Sequence, residues 1–334
     1  MKKLTHLESL RGFASIYVAI GHWILSNKNA PASLSALFRF GQEAVIIFFI
    51  LSGFVIFLSY AKSKDHSLRT YFIRRARRIY FPFICAIVIS IVVVSHIFPI
   101  KQLAGNILML QDFSTGKPGV DVAPFLGNAP LWSLSYEWTF YLLFPFLFPI
   151  LQNNKDRVHY IGIFSLINLI IYILFPNHIF LVLSYFFIWW SGLELGEYFL
   201  GSQNKAHAQK LVLYYALILI TLGVTCLISY GDNKHISLGV YPYLILRHFA
   251  FAFVCVALTI FATKFTKQLV GIFKPFAKIA PISYGIYVIH YPILVQLSLN
   301  LNPVLEAIIK IAAVLGLAYL IEMILQPRIN KLIN

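Results

Sequence analysis

An arginine and a histidine stand eleven positions apart in the stretch LTHLESLRGFASIYVAIGHW, with a glutamate three positions before the arginine. Each residue of an α-helix turns 100°, so His22 returns to within about 20° of Arg11, roughly 16 Å further along. Glu8, Arg11 and His22 therefore share one stripe, and the Glu8 to Arg11 spacing permits an ion pair that would hold the guanidinium. A neutral imidazole inside a protein is the usual general base for a hydroxyl proton, and a nearby cation can hold an anionic cosubstrate or a developing oxyanion. The same residues also fit a plainer role, with Arg11 snorkelling to a membrane interface and His22 satisfied in the core. Spacing leaves both open.

Two further blocks carry side chains capable of chemistry. RTYFIRRARRIYFPF places Arg69, Arg74, Arg75, Arg77 and Arg78 just before an apolar stretch. Such a cluster anchors a helix on the cytoplasmic side of a membrane. Arg75 and Arg78, three apart, also share a helical face from which guanidinium groups can clamp phosphate bidentately. PLWSLSYEWTFYLLFPFLF sets Ser133 and Glu137 four apart on one face, with Trp132 and Tyr136 beside them. A carboxylate at that depth needs a partner. Glu137 either orients His22 or a sugar hydroxyl, or it pairs structurally with Arg247 or Lys310. Gln42, Glu43, Glu194, Glu197 and His290 are lesser candidates, for which a structural role suffices. No Walker loop, dinucleotide fingerprint, His-Glu-x-x-His or Gly-x-Ser-x-Gly element occurs. Cys85, Cys226 and Cys255 lie in apolar segments, odd in number and without ligand spacing, so neither a disulfide framework nor a metal is expected.

The elements that position these residues must be membrane helices. Hydrophobic residues make up 59% of the 334, and charged residues only 12%, against roughly 25% charged in soluble domains. Ordinary soluble enzymes are thereby excluded. Ten apolar segments, near 7–25, 42–60, 80–98, 131–151, 160–176, 179–199, 211–230, 242–263, 280–299 and 303–325, follow one another without an internal repeat. They predict an all-α polytopic bundle of about ten transmembrane helices, one domain over 1–334 with no appended soluble domain. Gly116, Pro118, Gly119, Pro124 and Gly127 mark 99–130 as an ordered or re-entrant loop. The opening Met1-Lys2-Lys3 resembles a secretory signal, but Glu8 and Arg11 interrupt its apolar core, so a retained first helix is expected. A net charge of +15 would suggest nucleic acid in a soluble protein. Here 19 Lys and Arg fall on one side of the ten segments and 5 on the other, which topology explains and which puts both termini in the cytoplasm. Membrane lipid, not nucleic acid, is the expected surrounding. Oligomeric state leaves no mark in the sequence.

Taken together, LESLRGFASIYVAIGHW, GQEAVIIFFILSGFVI, FIRRARRIYFPF, LWSLSYEWTFYLLFP and ISYGIYVIHYPI resemble, in order and approximate spacing, the acyltransferase-3 family. These are integral membrane acyltransferases, mostly enzymes that O-acylate extracytoplasmic carbohydrates. The resemblance covers nearly the whole chain, and its most specific part is the arginine and histidine of the first block. It implies that His22 is the catalytic histidine and Arg11 its companion. It implies also that Arg75-Ala76-Arg77-Arg78 is the paired-arginine motif, with Arg75 and Arg78 meeting acyl-CoA at the cytoplasmic face. Glu137 matches the acidic residue of the Trp-Ser-Leu-Ser block, with Trp132, Ser135 and Tyr136 as substrate contacts. Trp138 stands where many members have a second Glu, and Ile46 where many have Asp, so no second carboxylate carries over. A bacterial inner membrane, acetyl-CoA as the default donor and a carbohydrate or glycolipid acceptor complete what is implied. His22 would then deprotonate the acceptor hydroxyl, with Arg11 or nearby donors steadying the oxyanion. The rival class is a multi-span transporter or flippase in which Arg11, His22 and Glu137 bind an anionic lipid-linked substrate or relay protons. A membrane scaffold without catalysis is the third reading.

Overall fold

In hydrocarbon every backbone N–H and C=O must be satisfied within its own segment, so apolar runs of this length fold as helices. The computed structural model describes residues 5–94, 98–201 and 205–332, and no strand occurs among them. Helix α1 (Thr5–Ser26) leads through the short α2 (Ala32–Leu37) to α3 (Gly41–Lys62) and α4 (Leu68–Val94). A segment holding α5 (Ile100–Ile107) and two 3₁₀ turns precedes α6 (Trp132–Leu151). Next come α7 (Arg157–Leu174), α8 (His178–Phe199), α9 (Lys205–Asn233) and α10 (Tyr243–Phe261). The chain then forms α11 (Thr263–Ile272), α12 (Ser283–His290), α13 (Pro303–Tyr319) and α14 (Gln326–Leu332).

The all-helical bundle agrees with the sequence, whereas eight helices among the described residues, not ten, are long and apolar enough to cross a membrane. The two other expected segments are helical but differ for visible reasons. Helix α1 has 22 residues, yet Glu8, Arg11 and the buried Ser9, Gly12 and Ser15 lower its apolarity. The segment expected at 280–299 is divided into a 3₁₀ turn (Ala280–Ile282), α12 and a π-wound turn (Tyr291–Gln296). Pro292 contributes no N–H to this stretch, and the Leu297 N–H reaches back five residues to the Pro292 carbonyl at 2.8 Å. A second π-wound turn, Leu320–Leu325, joins α13 to α14.

Contacts sort the helix ends. Arg78, in the first half of α4, pairs with Glu322, and Arg77 donates to the Asn330 carbonyl at 3.3 Å. Arg11 on α1 donates to Ser283 at the start of α12. Both described chain ends thus lie at the basic end of the bundle. At the opposite end Arg247 pairs with Glu43 at 2.5 Å. The 99–130 segment is ordered there, as its turn residues predict. Asn106 is fully buried, and its amide donates to the Gln102 and Ala123 carbonyls while its oxygen accepts from Phe125 N–H. Gly119, at φ +78°, could carry no side chain, because a Cβ would lie 2.3 Å from the Pro176 carbonyl oxygen.

Close helix contacts depend on small residues, the usual device where apolar burial alone cannot drive association. A Cβ on Gly53 of α3 would sit 2.0 Å from the Trp189 carbonyl oxygen, and one on Gly192 of α8 would sit 1.9 Å from that of Ile50. Backbones α3 and α8 therefore touch directly, framed by the fully buried rings of Trp189, Trp190, Phe140 and Phe144. On α1, Gly12 plays the same part against Phe276, whose carbonyl oxygen a Cβ would approach to 2.0 Å. Since backbone cannot yield as a side-chain tip does, Gly192→Leu should destabilise the detergent-solubilised protein by about 1–3 kcal/mol or more. Gly223→Ala on α9, where a Cβ meets nothing within 4 Å, should be neutral or slightly stabilising. Thermal unfolding of the two variants checks this; equal melting temperatures would contradict the packing argument.

Candidate active site

A cavity of about 160 Å³ opens between α1, α3, α4, α6 and α12. Arg11, Arg75, Arg78, Glu137, Ser52, Ser133, Tyr141, Ser283, Tyr284 and Tyr287 give it polar groups, and Phe48, Phe49, Leu51, Val55 and Ile56 its apolar wall. Five of the residues singled out in the sequence, Arg11, Arg75, Arg78, Ser133 and Glu137, are brought together here from three separate blocks. Helical phase accounts for two of the neighbours. Ser133 and Glu137 lie four apart on α6 and line the same cavity, as one face of a helix requires.

The three guanidinium groups differ in what already holds them. Arg78 forms an ion pair with the almost fully buried Glu322, meets Gln326 Oε1 at 3.3 Å and lies over the Tyr284 ring. Glu322 Oε1 in turn accepts the Gly285 N–H at 3.0 Å, so this carboxylate ties α4 to α12. Arg78 is therefore a tie between helices as well as a cavity wall. Arg75 donates to Ser59 Oγ at 3.2 Å and lies between the Tyr71 and Tyr141 rings, 5.7 and 5.8 Å from their centres. Its Nε is buried without a hydrogen-bond partner, and Arg75 makes no ion pair among the described residues. Arg11 donates from Nε to Ser283 Oγ at 3.2 Å and forms no pair with Glu8 among the described residues. It lies within electrostatic range of Arg78, Glu322 and Glu137.

Glu137 pairs with neither Arg247 nor Lys310, which are taken by Glu43 and Glu306. Its Oε1 accepts from Tyr141 at 2.5 Å and from Ser52 at 3.0 Å, and the Ser52 oxygen is itself held by Trp189 Nε1 at 3.1 Å. A carboxylate fixed by two hydroxyl donors, in a cavity with two guanidiniums that form no ion pair among the described residues, is a polar site built into an apolar bundle.

His22 does not line the cavity. It lies roughly 16 Å along α1 from Arg11, where its Nδ1 is 2.9 Å from His290 Nε2. His290 is fully buried, and its Nδ1 is 3.0 Å from the Ile286 carbonyl oxygen. Arg11 meets the start of α12 and His22 its end, so the two helices run parallel. Tyr287 stands between the halves, with its ring on the cavity wall and its centre 6.2 Å from that of His290.

The expected substrate contacts on α6 lie elsewhere. Ser135 is fully buried and bonds back to the Trp132 carbonyl at 2.9 Å. Trp132 and Tyr136 face the opposite end, against a buried ion pair that sequence reading missed. Lys117 Nζ reaches Asp112 Oδ1 at 2.9 Å with both side chains fully buried, and it lies 3.8 Å from the Trp132 ring centre. Tyr136 donates to Asp112 at 2.6 Å. Burial pushes the Lys117 ammonium below the ordinary lysine range, against the pull of Asp112. This cluster fixes the 99–130 segment onto α6. Ser133, two residues before Ser135, is the serine of this block that lines the cavity, with its Oγ 2.8 Å from the Tyr287 hydroxyl.

Glu194, Glu197 and His207 place ligand atoms close enough for a metal ion. Arg157 occupies that position: it binds Glu194 through Nε at 2.8 Å and Nη2 at 2.7 Å, and it also pairs with Glu197. The guanidinium supplies the positive charge there and joins α7 to α8.

Residues 4–325 match the model of the acyltransferase-3 family, described as an acyltransferase domain. The chain is also similar to acyltransferase MdmB of Streptomyces mycarofaciens, at 30% identity over 166 residues. That match covers 46% of this chain and 42% of the relative, so the chain spans less than half the length of that protein. No solved structure matches. With its family match reaching from the start of α1 into the π-wound turn after α13, this chain belongs to the acyltransferase-3 family of membrane acyltransferases.

Proposed function

We propose that the protein moves a short acyl group, acetyl by default, from cytoplasmic acyl-CoA to a hydroxyl of an extracytoplasmic carbohydrate or glycolipid, in a bacterial inner membrane. The observation that carries this reading is the buried, unpartnered Nε of Arg75 beside a second unpaired guanidinium, that of Arg11, in one cavity. A buried N–H of a charged group without an acceptor is costly, and phosphate oxygens are the acceptors a guanidinium fork fits best. Orientation follows from the excess of Lys and Arg at this end.

A second cavity shares Ile56 and Arg75 with the first and is lined by Tyr60, His66, Tyr71 and Arg74. Rings and guanidinium groups suit a nucleotide base and its phosphates. The offset between Arg11 and His22 also supports a donor of this shape, because an extended pantetheine arm spans such a distance. Phosphates would rest at the arginines and the thioester would reach past Ser283 and Tyr287 toward His22, which requires the Tyr287 side chain to turn aside. His22 then takes the acceptor hydroxyl proton as the oxygen attacks the thioester carbon. The C–S bond breaks, His22 returns the proton to the leaving thiolate, and the products are the acylated acceptor and free coenzyme A. Arg11 and Glu137 set the charge along the arm and Ser283 orients Arg11, whereas Arg78, already held by Glu322, steadies the site.

Release of coenzyme A from acetyl-CoA by purified protein, with a cell-envelope glycolipid extract as acceptor, tests the reading. His22→Ala should lower kcat by about 10²–10⁴-fold; turnover at the wild-type rate would remove His22 from the chemistry. Arg75→Lys keeps the charge and loses the fork, so KM for acetyl-CoA should rise about tenfold with little change in kcat. An unchanged KM would take the donor phosphates away from Arg75.

A further inference from the structure

His290 does more than fill a helix interface. Its Nδ1 faces the Ile286 carbonyl oxygen at 3.0 Å, and a carbonyl oxygen only accepts, so Nδ1 carries the hydrogen. The ring is fully buried, it meets that carbonyl and His22, and no carboxylate pairs with it among the described residues. An imidazolium there would be a buried charge without a counter-ion, so the ring is neutral and its Nε2 presents a lone pair. His22 Nδ1, 2.9 Å away, must then be the donor. The tautomer of His22 follows: hydrogen on Nδ1, lone pair on Nε2.

We propose that His290 is a positioning residue for the acyl transfer, holding His22 as the Nδ1–H tautomer so that Nε2 is the base that meets the acceptor hydroxyl. This rests on the reading of His22 as that base. The ring's angle is set as well as its proton. The imidazoles lie 15° from parallel with centres 5.2 Å apart, and the Tyr291 ring stands at 83° to His22 from 5.3 Å. Orientation by a second hydrogen-bonded group is how catalytic and metal-binding histidines are generally fixed. A neutral imidazole does this without placing an anion in the bundle. When His22 takes up a proton, its bond to His290 becomes charge-assisted and strengthens. The shape of the chain agrees, since His290 closes α12 just where the winding opens into the π turn.

The test uses the full-length protein in detergent with acetyl-CoA and the envelope glycolipid extract, and compares His22→Ala, His290→Leu and His290→Gln. Leucine removes the acceptor, whereas the glutamine carbonyl can take the same N–H. We expect His290→Leu to lose about 100-fold in kcat with KM for acetyl-CoA unchanged, and His290→Gln to stay within about tenfold of wild type. Independently of turnover, ¹⁵N-histidine NMR should show His22 protonated at Nδ1 in the wild type and in His290→Gln. An Nε2-protonated His22 in the wild type would overturn the proposal. So would His290→Leu at the wild-type kcat alongside an inactive His22→Ala. Full activity of His22→Ala would instead overturn the underlying assignment of the base.

Discussion

A charge withdrawn from water into an apolar bundle is tolerated only where an opposite charge or a set of hydrogen bonds meets it. This chain obeys that constraint at almost every turn. Lys117 meets Asp112, Arg157 meets Glu194, Arg247 meets Glu43, Lys310 meets Glu306 and Arg78 meets Glu322. Each pair also joins segments or steadies a helix end, so the charges that survive in the bundle are mostly its fasteners. Arg11, Arg75 and Glu137 stand apart in one cavity, in no ion pair among the described residues. The pattern of neutralisation thus separates the residues that hold the fold from those left available to a ligand.

The other dependence is the parallel course of α1 and α12. Small residues on α1 let it approach its neighbours closely, with Gly12 against the Phe276 backbone. That packing joins Arg11 to Ser283 at one end and His22 to His290 at the other. One helix pair therefore sets the distance between the arginine-lined cavity and an imidazole, a spacing that suits the long narrow arm of the proposed donor.

Much of this was legible in the sequence, because helical phase and charge depth are local properties. Composition gave the membrane bundle, and the four-residue step from Ser133 to Glu137 gave the α6 face that the cavity uses. The resemblance named Arg11, Arg75, Arg78 and Glu137, which do meet. What stayed hidden depends on long-range pairing. His290, 268 positions from His22, read as an interface residue because nothing local announces its partner. Glu322 gives no sign that it engages Arg78, so that arginine read as a membrane-side anchor or a phosphate clamp and not as half of an ion pair. Ser135 and Tyr136 belong to the right block but project from α6 in directions that only the packing of Asp112 and Lys117 explains. The expected span at 280–299 divided because proline chemistry and π winding alter a helix without altering its apolarity.

The most direct measurement of the account is a cryo-electron microscopy structure of the protein with a non-hydrolysable acetyl-CoA analogue. The account predicts the phosphates against Arg75 at the basic end, Tyr287 turned aside, and the acetyl carbonyl beside His22, close enough for a hydroxyl held by Nε2 to attack. An analogue whose acetyl group stays among Arg11 and Glu137 with Tyr287 in place, or whose phosphates lie away from Arg75, would contradict it.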